Sequence, residues 1–148
     1  MDKERIHEAK VNVKRYLEDG LLQKYEFRKE IFETYLKNSE ESLLTAQLLQ
    51  ETQTSNLWII VSSYYSMFYI ANAYLLKLGY KVGHKIAHKV TADSLIVLVK
   101  DKFKESYLLE FDIAVEEALS ISENLVENFD SLAGYYTPQL CCDHPAGS

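Results

Sequence analysis

Residues 57–76 read LWIIVSSYYSMFYIANAYLL, and the reading of this stretch decides the fold. It sits inside 25 consecutive uncharged residues between Glu51 and Lys77, a length that would span a bilayer as a helix. Polar groups interrupt it on nearly every turn, however: Ser62, Ser63, Tyr64, Tyr65, Ser66, Tyr69, Asn72 and Tyr74. The stretch therefore reads as the buried central helix of a soluble bundle, its hydroxyls turned toward neighbouring helices or a groove, and no membrane contact is expected. Ser55 or Asn56 is placed to cap its start, and Gly79 to stop it.

Working outward, the flanking sequence keeps a helical period. Residues 2–19 form a charged helix with Ile6, Val13, Tyr16 and Leu17 apolar. Residues 26–51 repeat Phe27, Ile31, Tyr35, Ser39, Leu43, Ala46 and Leu49 at helical spacing. Beyond a connector at 81–84, a fourth helix runs from about Lys85 to Phe103 with Ile86, Val90, Leu95, Leu98 and Val99 inward. A fifth, about Ser106 to Ser131, carries Leu108, Phe111, Val115, Leu119, Ser122, Leu125 and Phe129. Two prolines and five glycines in 148 residues are too few turn residues for a sandwich, a barrel or an α/β sheet. The expected fold is all-α, an up-and-down bundle of about five helices. It divides into a leading helix (1–25), a helical bundle (26–131) and an unstructured tail (132–148).

The net charge of −6 is unevenly spread. Residues 77–104 hold seven lysines against Asp93 and Asp101, whereas residues 105–148 hold nine carboxylates and no Lys or Arg. A general nucleic-acid coat protein would be basic throughout; here only a local segment faces anions. The cysteines, Cys141 and Cys142, are adjacent and form no disulfide framework, and the N-terminus is charged from residue 2, so a cytoplasmic setting without a signal peptide is expected.

Few constellations carry chemistry. His84 and His88 are four apart, but Lys85 stands where a metallopeptidase helix has its glutamate, and Asp93 falls off that face; no metal and no cofactor are expected. There is no nucleophile motif and no glycine-rich phosphate loop. What remains is a basic cluster, Lys81, His84, Lys85, His88 and Lys89, at the start of the fourth helix, where backbone N–H groups and the helix dipole favour an anion. Tyr64, Tyr65 and Tyr69 on the preceding helix offer ring faces and hydroxyls for a nucleotide. The alternative is that the tyrosines are core and the lysines a solvated face.

The run Ser63-Tyr64-Tyr65-Ser66-Met67-Phe68-Tyr69-Ile70-Ala71-Asn72-Ala73-Tyr74-Leu75-Leu76, followed by Gly79 and by Gly83-His84-Lys85, resembles the HEPN superfamily. The branch it is similar to is that of small prokaryotic and archaeal proteins associated with nucleotidyltransferases. Ser42-Leu43-Leu44-Thr45-Ala46-Gln47-Leu48-Leu49 fits the helix before it, and the resemblance covers about residues 32–130. It implies a helical bundle, a homodimer, and pairing with a minimal nucleotidyltransferase within a toxin–antitoxin system. Some members are metal-independent ribonucleases that place an Arg and a His with four to six residues between them, the cation stabilising phosphorane-like charge and the His handling the 2′-hydroxyl proton. This chain departs there. Its arginines, Arg5, Arg15 and Arg28, all precede the matching region, and Lys77 or Lys81, each separated from a His by six residues, lacks the bidentate fork.

The expectation is thus a non-catalytic, homodimeric binding module that docks a nucleotidyltransferase-domain partner or holds a nucleotide. Its ligand would be met by Tyr64, Tyr65, Tyr69, Lys81, His84, Lys85, His88 and Lys89. A metal-independent ribonuclease acting on RNA through His84 or His88, and a purely structural bundle, are the alternatives.

Overall fold

Capping side chains open two helices where the sequence places them. Asp2 accepts from the Glu4 N–H at the start of α1 (Lys3–Glu18), and Ser55 accepts from the Trp58 N–H at the start of α3 (Asn56–Lys77), each satisfying one orphan donor of a first turn. The structure, a computed structural model, describes residues 1–102, 104–117 and 120. Between these two helices lies α2 (Lys29–Glu51), which opens without a side-chain cap. α3 stops at Gly79, whose φ of 84° suits only a residue without Cβ. α4 (Ala87–Val99) follows, and a last helix, α5, covers residues 105–117. The chain is mostly helical, as an all-α bundle requires. Phe103, Leu119, Ser122, Leu125 and Phe129, and the 132–148 tail with Cys141 and Cys142, lie outside the described residues.

Two features correct the sequence reading. The 81–84 connector is instead half of a small antiparallel ribbon: β1 (Leu22–Lys24) pairs with β2 (Tyr80–Val82) in the register Leu22↔Val82, Gln23↔Lys81 and Lys24↔Tyr80. Backbone bonds from Tyr25 N–H to the Gly79 carbonyl and from Gly83 N–H to the Leu21 carbonyl, both 2.8 Å, close its ends. The ribbon ties the loop after α1 to the loop after α3, so Leu22 and Val82 enter the core. Second, α4 starts at Ala87 rather than Lys85, because Ile86 adopts a left-handed φ of 44° that no helix continues. His84 and Lys85 therefore lie in a turn, and Ile86, expected inward, is exposed.

One core gathers Val13 and Tyr16 of α1, Leu22 of β1, Tyr64 and Leu75 of α3, Val90, Leu95 and Val99 of α4, and Leu108, Phe111 and Val115 of α5. α2 contributes nothing to that cluster. It packs lengthwise on α3, burying only Ser39 and Ala46, with the Ser39 hydroxyl donating to the Ser66 carbonyl at 2.8 Å. Leu43, expected inward, is exposed, as are Phe27 ahead of the helix and Leu17 of α1.

Candidate functional site

α3 presents different groups on successive turns, and three of them find polar partners on other helices. Ser66 meets Ser39 on α2. Asn72 donates to the Thr91 hydroxyl of α4 at 3.3 Å. Tyr64, almost wholly buried, places its hydroxyl 2.5 Å from His88 Nδ1, also on α4. The imidazole lies in a ring cluster, with its centroid 4.7 Å from Phe68, 5.4 Å from Tyr64 and 5.9 Å, edge-on, from Tyr65. Tyr65 continues to Tyr69, 5.9 Å between centroids, and Tyr69 to Tyr35 on α2 at 6.5 Å.

Burial sets the charge states here. Desolvation lowers the His88 pKa and raises that of Tyr64, so a neutral imidazole faces a protonated phenol, and one proton is shared between them according to tautomer. A neutral His can accept a proton, but phosphoryl chemistry needs a cation beside it, and no contact joins a lysine of the expected cluster to His88 among the described residues. Lys81 sits in β2 with its ammonium 4.7 Å over the Tyr25 ring. Lys89 pairs with Glu8 of α1 at 3.8 Å. His84 and Lys85 are exposed in the turn before α4, off the helical face that carries His88. The structure thus brings together Tyr64, Tyr65, Tyr69 and His88, and spreads Lys81, His84, Lys85 and Lys89 around them. No group of three or more potential ligands for a metal exists among the described residues.

Arg5 is engaged most completely. Its Nε and Nη2 donate to the two Asp112 oxygens at 2.8 and 2.7 Å, and Nη1 donates to Asp93 Oδ1 at 2.7 Å. Asp93 is fully buried and also accepts from Asn12 Nδ2 at 3.0 Å and from the Tyr16 hydroxyl at 2.9 Å. The bonds to Asp112, foremost, hold the Arg5 pKa above its ordinary value. This network clamps α1 to α4 and α5, and leaves Arg5 no fork for a phosphate. Sequence reasoning passed over it; the signal available was a lone carboxylate in the apolar run VTADSLIVLV.

A groove of about 540 Å³ opens between α2 and α3, with Tyr65 and Tyr69 on its wall together with Trp58, Val61, Ser62, Asn38, Glu41, Ser42 and Thr45. Only the two tyrosines were expected at a site; Trp58 and the α2 residues were not singled out. On another side of α3, a cleft of about 300 Å³ is lined almost wholly by apolar groups, among them Met67, Ile70, Tyr74 and Phe111. Comparison of the chain with protein-family models, with curated proteins and with solved structures gives no match.

Proposed function

We propose that the chain is a non-catalytic docking module of the HEPN type, and that the α2–α3 hairpin is its contact surface, used first to join two copies of the chain. The observation that supports this reading is the composition of the hairpin surface. Leu36, Leu43, Leu44, Leu48, Trp58, Ile60, Tyr65 and Ile70 all stand exposed on these two helices. A single exposed leucine needs no explanation. Eight large apolar groups on one helical pair ask for cover.

The area suffices. At 1.5 Å per residue, α3 is about 33 Å long, and two packed helices are about 20 Å across. One face of the pair thus offers roughly 650 Å² per copy, or about 1,300 Å² in an isologous dimer, inside the range of specific interfaces. No charge lies between residues 52 and 76, so two α3 surfaces meet without like-charge repulsion. A nucleotidyltransferase-domain protein is the further partner that the HEPN resemblance implies. Catalysis is left out of the proposal because Arg5 is wholly committed to carboxylates and no other cation bonds His88 among the described residues.

Static light scattering at micromolar concentration tests the reading. A dimer is expected, and Leu44→Glu with Leu48→Glu converts it to a monomer of unchanged helix content. A wild-type chain that is monomeric sinks the proposal. RNA incubated with excess protein should remain intact; cleavage lost in His88→Ala would instead favour the ribonuclease alternative.

A further inference from the structure

We infer that the α2–α3 groove is a binding site for an organic ammonium group. Its wall carries three electron-rich rings, Trp58, Tyr65 and Tyr69, and a single charged side chain, the carboxylate of Glu41. Among the described residues, no lysine or arginine lines it. Aromatic faces with one carboxylate attract a cation, through ring quadrupoles and Coulomb force together, and repel a phosphate. The sign is thus opposite to that expected of the Lys81–Lys89 cluster.

A second observation marks the groove as a place for a ligand rather than a packing fault. Thr34, Thr45, Thr52 and Thr91 each return their hydroxyl to the carbonyl four residues earlier, the usual fate of a hydroxyl inside a helix. Among the described residues, Ser42 and Ser62 make no such bond, and the Asn38 amide makes none either, though all three line the groove. They are left free to bond water or the polar parts of a ligand. Glu41 is meanwhile shared with Lys37, whose Nζ lies 3.7 Å away across one helical turn, both side chains being well exposed. Lys37 therefore competes with an incoming ammonium, and its removal should strengthen binding.

The groove shares Trp58 and Tyr65 with the docking surface, so the titration is run on wild type and on the Leu44→Glu/Leu48→Glu variant: a variant that binds ammonium upholds the site whatever the state of the dimer, and one that binds none overturns the site alone. Trp58 is the only tryptophan in the chain, so its fluorescence reports the groove directly. Wild-type protein is titrated with tetramethylammonium, with spermidine and with Nα-acetyl-lysine amide, against sodium chloride at matched ionic strength and against ATP. Saturable quenching by the ammonium probes is expected, with a dissociation constant on the order of millimolar for an open site. Glu41→Gln should weaken it about two- to fivefold and Lys37→Gln strengthen it by a similar factor, the range of an exposed charge pair. Binding by the free amines alone makes the ligand a small polyamine, and binding by the lysine amide alone makes it a side chain of a partner. No saturable response to any amine, an equal response to sodium chloride or ATP, or a Lys37→Gln variant that binds no better than wild type overturns the inference.

Discussion

Replacing Arg5 with methionine should cost the fold a large share of its stability. Asp93 has a fully buried side chain and Asp112 is 14% exposed, and among the described residues Arg5 is the one cation bonded to them. Breaking a buried ion pair from one side costs about 3–5 kcal/mol, because the remaining charge stays in a poor solvent. Two details place this case near the lower end. Asp93 keeps its donors from Asn12 and Tyr16, and Asp112 lies close enough to the surface to gain water. A loss of about 3 kcal/mol corresponds to roughly 6–12 °C in Tm for a chain of this size, from a total of about 5–15 kcal/mol. The assay is urea unfolding followed both by Trp58 fluorescence and by far-ultraviolet circular dichroism, with the midpoint falling at unchanged slope. The diagnostic variant is Arg5→Met combined with Asp93→Asn, which removes the stranded charge and keeps an acceptor for Tyr16. It should recover about 1–2 kcal/mol, within the range of coupled neighbours. An Arg5→Met cost below about 1 kcal/mol, the level of a surface pair, would refute the reasoning. So would a double variant no more stable than the single one.

Three further outcomes follow from the same contacts. The His88 pKa is lowered by burial, so below the unfolded value of about 6.5 the unfolded chain takes up a proton that the folded state refuses. Stability then falls with acid by up to about 1.4 kcal/mol per pH unit from this group until the folded pKa is passed; His88→Phe should flatten that limb in urea midpoints measured from pH 7 to 5. Tyr16 and Tyr64 have raised pKa values, chiefly from desolvation, so the unfolded chain ionises first above about pH 10 and stability falls as pH rises; Tyr64→Phe should weaken that alkaline limb. The Ser94 hydroxyl is the one fully buried side-chain polar group without a hydrogen-bond partner among the described residues, and Ser94→Ala should raise the urea midpoint by about 1 kcal/mol of stability, since a stranded donor costs about 1–3 kcal/mol.

How much was legible depended on sequence separation. Ser55, Asn56 and Gly79 bracket α3 by local chemistry, and the observed helix runs between them. The ribbon was invisible because Leu22 and Val82 each belong to a three-residue strand, too short to display a period, and their pairing spans 60 residues of chain. The start of α4 was misplaced because nothing in the residue type of Ile86 signals a left-handed backbone, which β-branched side chains disfavour. Tyr65 and Tyr69, which line the groove, were singled out because an aromatic stripe recurs along one helix. Arg5, Asp112 and the α2 wall of the groove were not, since their roles arise only when distant helices close on one another.

The polar groups of α3 explain how so apolar a helix acquires a unique set of neighbours. Hydrophobic burial is non-directional, and a helix apolar on nearly every side would accept several rotations against the same partners. Ser66 on Ser39, Asn72 on Thr91 and Tyr64 on His88 each fix one rotation and one register, because a wrong one leaves a buried polar group unpaired at about 1–3 kcal/mol. Those three bonds account for contacts to α2 and α4. Ser62, Tyr65 and Tyr69 have no such hydrogen-bond partner among the described residues and line the groove. The same helix thus spends some of its hydroxyls on specifying the fold and leaves others turned outward, where water, a ligand or a second copy of the chain can meet them.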